Sequence, residues 1–329
     1  MRYEPPKANG EGGGIRVEAD PRHAELLIAS LGPKAKAGIS TPGVKLRRGK
    51  GTRFEEEALE ETSGAPTTNV NPEDVEDEPV DDTELPESTA RLYRAGAARA
   101  NYLALDRADL SWAGKELCRR MAAPRREDLL RLRRLARYLL SAPRLVAFLP
   151  FQDEVSEVKV FVDTDFAGCP DTRRSTSCGC MMMGRHLLKH WSTTQKTITL
   201  SSGEAELSGC VKGAAEGLGL VALLRDLGVD GLNLQLWTDS SAALGIMKRS
   251  GIGKIRHLSV ALLWVQERVR CGDITVWKVD GDQNPADIFT KAVPRTLLNK
   301  HLAELGLSLE TGRAASAPQV TAKVEAFLV

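Results

Sequence analysis

Histidine and cysteine are scarce in this chain, which contains five of the first and six of the second among 329 residues. The cysteines form no C-x-x-C pair and the histidines are scattered, so the ligand spacing that is typical of a zinc site is absent. We therefore expect free thiols in a reducing compartment and no zinc.

Signals for secretion and membrane insertion are also missing. No secretory signal opens the chain, and no apolar run approaches the roughly 20 residues that span a bilayer. The sequence thus predicts an intracellular protein, cytoplasmic or nuclear, without a membrane partner. The G-x-S-x-G elbow is absent as well, which argues against a serine hydrolase.

Basic residues are missing from one long segment, although the whole chain has a net charge of +1. Residues 54–90 contain fourteen acids and no lysine or arginine. A block of like charge with few apolar residues cannot bury enough surface to offset chain entropy. We expect residues 46–88 to be a disordered acidic linker.

Arginine is concentrated just after this segment, with eight arginines from Arg119 to Arg137. Residues 88–142 have a helical pattern, in which leucines recur near helical spacing at Leu129, Leu130, Leu132, Leu135 and Leu139. The arginines among them form either a solvated face or a face that neutralises phosphates, and the sequence leaves both open.

Strand patterns dominate from residue 155 onward. Alternating β-branched residues predict a strand at VKVFVD (158–163). Four further segments also have the appearance of strands: CGCMMMG (178–184) and HLLKHW (186–191), joined at Gly184-Arg185, then LNLQLWTD (232–239) and DITVWKV (273–279). A long helix follows the third strand, where Ser201 and Glu204 fit a capping box, and Gly228 ends it. The order of elements predicts an α/β fold with a mixed five-stranded sheet.

Acids stand at the ends of these elements. Asp163 and Asp239 end two strands, and the two residues share one sheet edge if those strands are adjacent and parallel. Glu206 falls in the first turn of the crossover helix, and Asp287 is the third helical position after an Asn284 cap. The helix dipole alone would account for each of the last two, by about 0.3–1 kcal/mol.

Four gathered carboxylates repel one another, and the neighbouring sequence offers too few lysines and arginines to neutralise them. Oxygen ligands without histidine or cysteine indicate Mg²⁺ or Mn²⁺, and two such ions form the clamp used in phosphodiester cleavage. Asp165 shares a strand face with Asp163, so the spacing alone leaves either as the ligand.

Five segments follow one another along the strand-rich part of the chain: VFVDTDFAGCPDTRRSTS, SSGEAEL, WTDSSAA, IRH and NPADIFTK. Together they resemble the RNase H domain of copia-type LTR retrotransposon Pol polyproteins. The resemblance implies an RNase H-like fold with sheet order 3-2-1-4-5 and helices on both faces. It also implies that Asp163, rather than Asp165, joins Glu206, Asp239 and Asp287 in holding two Mg²⁺ ions, with Mn²⁺ as a substitute, and in hydrolysing the RNA strand of an RNA–DNA hybrid.

The resemblance continues upstream, where STP (40–42) and YRAGAARANYLALDRADLSWAGKELCRRMAAP are similar to the last part of the family's reverse transcriptase. It implies a reverse-transcriptase remnant (1–45), the acidic linker, a helical thumb- or connection-like segment (89–150), an RNase H-like domain (155–295) and a tail (296–329). The polymerase's catalytic segment is absent, so we expect no polymerase activity. Partners are the hybrid and the rest of a Pol polyprotein.

Substrate contacts are expected from basic and hydroxyl side chains near the catalytic edge. The candidates are Arg173, Arg174, Ser175, Thr176, Ser177, Ser202, Ser240, Lys254, Arg256 and His257. Ser201 either touches the substrate or only caps its helix. Two alternatives to a ribonuclease H stay open: a weak or inactive hybrid-binding remnant of the retrotransposon polyprotein, and a DNA nuclease or integrase of the same fold.

Overall fold

The computed structural model describes residues 1–6, 12–31, 38–44, 83–169, 171–253, 260–314 and 317–318. The chain divides into two compact units. The first, which we term the sheet unit, comprises Met1–Val17, Val146–Lys291 and Thr296–Ser308. The second, the helical unit, comprises Glu18–Leu145, Ala292–Arg295 and Leu309–Val329.

The described strands form two sheets. In chain order they are β1 (Arg2–Glu4), β2 (Gly14–Glu18), β3 (Arg144–Pro150), β4 (Glu157–Asp165), β5 (Thr176–Met183), β6 (His186–Thr194), β7 (Asn233–Thr238), β8 (Thr275–Lys278) and β9 (Leu307–Glu310). One sheet has the order β1-β2-β3-β9 and the other β6-β5-β4-β7-β8.

The described α-helices are α1 (Pro21–Ser30), α2 (Glu87–Leu103), α3 (Ser111–Cys118), α4 (Arg126–Ser141), α5 (Ser202–Asp226), α6 (Ser241–Lys248), α7 (Trp264–Arg270) and α8 (Arg295–Glu304). Short 3₁₀ helices cover Ala108–Leu110, Val260–Leu263, Gly281–Gln283 and Pro285–Phe289.

The five-stranded sheet confirms the predicted fold. Its central strand β4 pairs antiparallel with β5 and parallel with β7, and β7 pairs parallel with β8. Numbered along the chain, this is the order 3-2-1-4-5. The alternation that predicted β4 sets its faces: Val158, Val160 and Val162 are buried in the core on one side, whereas Phe161 and Asp163 lie on the other.

Helix α5 covers the valine side of the sheet at close range. A Cβ atom at Gly213 would lie 2.4 Å from Cγ1 of Val162, and one at Gly217 would lie 2.6 Å from Cδ1 of Leu234. Glycines on this helix face therefore let the backbone approach the sheet. On the opposite side the 3₁₀ helix Pro285–Phe289 packs against the sheet, and the Phe289 ring stacks on His190 at 5.3 Å. Helices thus cover both faces.

Helix α5 is also the one helix among the described residues with the length and apolar composition of a membrane span. Leu207, Cys210 and Ala214 on this helix are fully buried in the core of the sheet unit. This burial is typical of a core helix.

The helical unit has its own core, built from α1, α2, α3 and α4 around Leu27, Tyr93 and Leu132. The leucine stripe predicted for this segment is real, because Leu132, Leu135 and Leu139 are fully buried. The single pattern over 88–142 proves to be three helices rather than one, with breaks after Leu103 and Cys118.

Several sequence expectations differ from the structure or fall outside it. Residues 46–82 of the predicted linker are outside the described residues, but Glu84 forms a β-bridge with Arg125 and α2 begins at Glu87, before the predicted end at 88. The segment 296–329, for which no motif was recognised, contains most of α8 and all of β9. The other domain boundaries remain predictions. The six cysteines are free, as expected.

Candidate active site

Two carboxylates meet at the carboxyl ends of β4 and β7. The register pairs Val162 with Thr238, so the next residues, Asp163 and Asp239, emerge side by side at one sheet edge. Asp163 is buried, with 6% of its surface exposed. The prediction that these two strands are adjacent and parallel is therefore confirmed.

Helix α5 brings the third carboxylate to this edge. Its N-cap Ser201 accepts a hydrogen bond from the backbone N–H of Glu204 at 3.2 Å, and Glu204 Oε2 accepts one from the backbone N–H of Leu200 at 2.7 Å. With α5 beginning at Ser202, Glu206 lies in the second turn, not in the first as predicted. The predicted capping box is thus half formed, because the Glu204 carboxylate bonds Leu200 instead of the cap residue.

The three carboxylates converge. Ligand oxygens of Asp163, Glu206 and Asp239 all lie within 4.8 Å of one another. Oε2 of Glu206 is buried and has no hydrogen-bond partner. Burial and the charges of Asp163 and Asp239 raise the pKa of Glu206 to about 9. Burial and the charge of Asp163 also raise the pKa of Asp239.

Asp287 approaches from the opposite face of the sheet. The cap residue Asn284 accepts a hydrogen bond from the backbone N–H of Ala286 at 3.2 Å, and its amide donates to the carbonyl of Val162 at 3.0 Å. This double contact ties the 3₁₀ helix to the end of β4. Burial and the charge of Asp163 raise the pKa of Asp287 to about 7. The Asp287 carboxyl group therefore interacts electrostatically with the same cluster of acids.

A lysine side chain lies beside one of the four acids, contrary to expectation. Lys291 Nζ lies 2.7 Å from Oδ2 of Asp287. The ammonium group is partly solvated, since 43% of the Lys291 side chain is exposed against 10% for Asp287. The expectation that no nearby lysine neutralises the acids is therefore wrong for Asp287. Within the described part of the chain, no ion pair joins Lys or Arg to Asp163, Glu206 or Asp239.

Thr290 is a second contributor that the sequence did not reveal. Its hydroxyl donates a hydrogen bond to Oδ2 of Asp163 at 2.5 Å and also lies 3.1 Å from the carbonyl of Asp287. Both Thr290 and Lys291 belong to the ADIFTK segment. That segment was the available signal, because it continues for four residues beyond Asp287 and includes both side chains.

The structure separates Asp163 from Asp165. The Asp165 carboxylate bends toward the turn at Gly168, where an added Cβ would lie 1.8 Å from its Oδ2. The converging set contains Asp163 and not Asp165. The preference for Asp163 therefore agrees with the geometry.

The hydroxyl residues of the DTRRSTS segment are inside the protein. Ser175, Thr176 and Ser177 are each at most 3% exposed. The Ser175 hydroxyl accepts from the backbone N–H of Ala167 at 3.1 Å, and that of Ser177 accepts from Nε2 of Gln195 at 2.8 Å. Since β5 starts at Thr176, Thr176 and Ser177 belong to the sheet, and Ser175 directly precedes it. We therefore withdraw their assignment as substrate contacts.

The remaining candidates are divided. Arg173 and Arg174 are exposed on a turn. The backbone N–H of Arg173 donates a hydrogen bond to the carbonyl of Cys169, and the backbone N–H of Cys169 donates one to the carbonyl of Arg174. Ser202 is exposed at the start of α5, whereas the hydroxyl of Ser240 accepts from the backbone N–H of Ala243 and caps α6. Three candidates lie outside the described residues: Lys254, Arg256 and His257.

The donor set fits a hard divalent cation. All four acids offer oxygen, and no histidine or cysteine side chain belongs to the set among the described residues. Mg²⁺ and Mn²⁺ prefer such ligands. The buried Glu206 oxygen without a partner is the strongest sign, because an unpaired buried carboxylate is costly unless a cation or a proton compensates it.

Three curated relatives of this chain are Pol polyproteins of plant retrotransposons. It is 27% identical over 218 residues to the retrovirus-related Pol polyprotein from transposon RE1 of Arabidopsis thaliana, covering 66% of the chain. It is also 27% identical over 227 residues to the retrovirus-related Pol polyprotein from transposon RE2 of the same plant, a match that covers 68% of the chain. It is 30% identical over 139 residues to the retrovirus-related Pol polyprotein from transposon TNT 1-94 of Nicotiana tabacum, a match that covers 42% of the chain. The chain spans only 10–15% of the length of these relatives.

Solved RNase H structures are similar to part of the chain. The N-terminal RNase H domain of a Mycobacterium tuberculosis protein is 18% identical, with a TM-score of 0.30, and the match covers 46% of this chain and 98% of that one. RNase H1 of Halobacterium salinarum is 16% identical, with a TM-score of 0.29 and coverages of 41% and 94%. No protein-family model matches the chain.

Proposed function

We propose that this chain, a homologue of copia-type retrotransposon Pol polyproteins, is a Mg²⁺-dependent ribonuclease H that hydrolyses the RNA strand of RNA–DNA hybrids. The observation that carries the proposal is the gathering of Asp163, Glu206 and Asp239 oxygens within 4.8 Å. A fold alone would not suffice, because function depends on the site.

The four acids would have distinct tasks in holding two divalent ions. Asp163, Glu206 and Asp239 would share one ion, and Asp287 would complete the site of a second. When bound, such ions stabilise the charge that develops on a phosphodiester during hydrolysis. Thr290 would keep Asp163 in a fixed orientation, because its hydroxyl donates a hydrogen bond to Oδ2 of that carboxylate.

The substrate would be held through its backbone. Arg173 and Arg174 project from the turn after β4, near the edge that carries Asp163, where they can neutralise phosphates without reading base sequence. The exposed hydroxyl of Ser202 can reach a ribose 2′-OH, the group that distinguishes RNA from DNA. Lys254, Arg256 and His257 remain candidates for further phosphate contacts.

A cleavage assay tests the proposal. The full chain is incubated with labelled RNA–DNA hybrid, double-stranded RNA or double-stranded DNA, with Mg²⁺ or with EDTA. We expect cleavage of the hybrid only, and only with Mg²⁺. Asp239→Asn should remove it, whereas Glu216→Gln should not, because Glu216 lies on α5 but pairs with Lys189 outside the cluster.

Other outcomes would favour the alternatives. Cleavage of duplex DNA would indicate a DNA nuclease of the same fold. Hybrid binding without cleavage in Mg²⁺ or Mn²⁺ would indicate a hybrid-binding remnant. One observation favours this second candidate: the ion pair between Lys291 and Asp287 already partners one of the four acids.

A further inference from the structure

Asp287 and its three companion acids differ in their partners. Lys291 holds Asp287 at 2.7 Å, while the oxygens of Asp163, Glu206 and Asp239 face one another without a lysine or arginine ion pair among the described residues. The cluster is therefore asymmetric. In the described part of the chain, the side formed by Asp163, Glu206 and Asp239 has no positive charge paired with it, whereas Asp287 is paired with the ammonium group of Lys291.

The charge of Lys291 interacts with other acids of the cluster besides its direct partner Asp287. Burial lowers the pKa of Lys291, but the hydrogen bond to Asp287 and the charges of Asp163 and Asp239 outweigh burial and raise it. In turn, the charge of Lys291 counters the upward shift in the pKa of Glu206 and of Asp239. The ammonium group of Lys291 therefore interacts with the acids at the sheet edge as well as with Asp287.

The two side chains of the ion pair also differ in solvent exposure. The Lys291 side chain is 43% exposed and follows the 3₁₀ helix, whereas Asp287 is 10% exposed and fixed within it. A lysine stem is long and flexible, and its ammonium group is well hydrated outside the site. The ammonium group can therefore leave, while the carboxylate stays.

We propose that Lys291 is a resident counter-cation of Asp287, so that the site binds one divalent ion at Asp163, Glu206 and Asp239 before Lys291 withdraws and a second ion binds at Asp287. This inference rests on the proposed function, since it assigns an order of binding to the same metal site. The reason is charge: after the first ion the remaining negative charge is small, and an ammonium group in place repels a second divalent ion.

Direct metal binding tests this order. Mn²⁺ is titrated into the full chain and followed by calorimetry and by the loss of the free-ion EPR signal. For the unmodified protein we expect one tighter and one weaker site. Lys291→Met should lower the Kd of the weaker site by about tenfold or more, a change of about 1.4 kcal/mol, and change the tighter site less. Lys291→Arg should retain the difference between the Kd values of the two sites.

A matched control comes from the same unit. Lys189 forms a salt bridge with Glu216 at 2.6 Å and is 49% exposed, so Lys189→Met removes a comparable surface pair away from the cluster. It should leave the Mn²⁺ titration unchanged. Melting temperatures give a second readout: Lys291→Met should melt lower than the unmodified chain in EDTA and gain more from added Mn²⁺.

The two proposals can fail separately. If the hybrid is cleaved while the unmodified and Lys291→Met titrations superimpose, the role of Lys291 is wrong and the nuclease proposal stands. If no hybrid is cleaved but the titrations differ as described, the nuclease proposal fails and the role of Lys291 stands. Absence of Mn²⁺ binding in all the variants and in the unmodified chain would overturn both.

Discussion

The hydroxyl group of Thr290 donates a 2.5 Å hydrogen bond to Oδ2 of Asp163, although 127 positions separate the two residues in the sequence. Both are buried, with 1% and 6% of their surface exposed. A charge-assisted hydrogen bond of this kind is short and directional. It fixes the Asp163 carboxylate and makes Thr290 a positioning residue for the proposed metal site.

Removing this hydroxyl should therefore impair the site without changing its charge. Thr290→Val deletes a hydrogen bond to a charged group, worth about 1.5–3 kcal/mol, and so should lower kcat for hybrid cleavage by about ten- to a hundredfold. Thr290→Ser keeps the donor and should restore most of the rate. Mn²⁺ affinity should fall in the valine variant as well. Equal kcat values for the valine and serine variants would rule out this role.

The pH dependence of stability offers a second test. The folded-state pKa of Glu206 is raised from 4.5 to about 9, and that of Asp287 from 3.8 to about 7. Below about pH 3 both groups are mostly protonated in the folded and unfolded chains, so they contribute little difference there. As the pH rises toward 9, the unfolded chain releases protons that the folded chain retains, so the free energy of unfolding should fall.

Urea unfolding in EDTA from pH 4 to pH 9 measures this slope. Glu206→Gln should flatten it and raise stability at pH 8, because the amide has no proton to release on unfolding. Glu216→Gln, on the same helix, should leave the slope as it is. Mg²⁺ should reduce the loss at high pH, since a cation favours the ionised acids. Stability that rises from pH 4 to pH 8 in EDTA would contradict the prediction.

The sequence predicted the acids and not their partners, for a physical reason. Asp163, Asp239 and Asp287 each stand near the end of a local pattern, so strand alternation and a helix cap indicated where the acids lie, and the family resemblance decided for Asp163 over Asp165. The contacts of Thr290 and Lys291 depend on the side-chain directions of a short 3₁₀ helix docked on a distant strand. No local pattern encodes that arrangement.

Strand length explains the errors at the catalytic edge. The alternation seemed to begin at Cys178, yet β5 begins at Thr176, and the hydroxyls of Ser175 and Ser177 bond within the protein. Pairing with β4 through Asp165 extends β5 beyond its apolar part. Tertiary pairing therefore overrides the local preference of these serines for a turn.

Phosphate contacts by the exposed turn can be tested through salt dependence. Arg174→Ala should weaken hybrid binding at low salt and reduce the slope of log Kd against log salt by about one. Arg173 is a poorer choice, because its φ of 55° lies in the left-handed region, where a change of residue type also alters the conformational preference of the turn. Binding is measured by fluorescence anisotropy in Ca²⁺ or with Asp239→Asn, so that no cleavage occurs.

Arg225 provides the control for this experiment. It is exposed near the C-terminal end of α5, which places it far along the helix from Glu206. At 1.5 Å per residue, the 25-residue helix is about 37 Å long. Arg225→Ala should leave the salt slope unchanged. Equal slopes for the Arg174 and Arg225 variants would mean that the turn does not contact phosphate.

The helical unit contains a buried ion pair whose loss should be severe. Arg107 donates to both carboxylate oxygens of Asp109, at 2.9 and 2.6 Å, and these side chains are 2% and 0% exposed. The hydroxyl of Tyr138 donates to Oδ2 of Asp109 at 2.8 Å, and Arg107 also donates to the carbonyls of Ala142 and Pro143. The network is thus well satisfied, which a buried pair requires.

Breaking this pair from one side leaves a buried charge without compensation. Asp109→Ala should lower the free energy of unfolding by about 3–5 kcal/mol, whereas Tyr138→Phe, which removes one hydrogen bond, should cost about 1–3 kcal/mol. Glu216→Ala, at an exposed pair, should cost at most about 1 kcal/mol. Urea unfolding followed by circular dichroism measures all three.

A double variant separates charge from packing in this network. Arg107→Met with Asp109→Leu replaces both charges by apolar groups, and buried ion pairs replaced in this way often lose little stability or gain some. We therefore expect the double variant to be more stable than Asp109→Ala alone. If it is less stable, the network contributes through its hydrogen bonds to the carbonyls of Ala142 and Pro143, and the uncompensated charge is not the dominant cost.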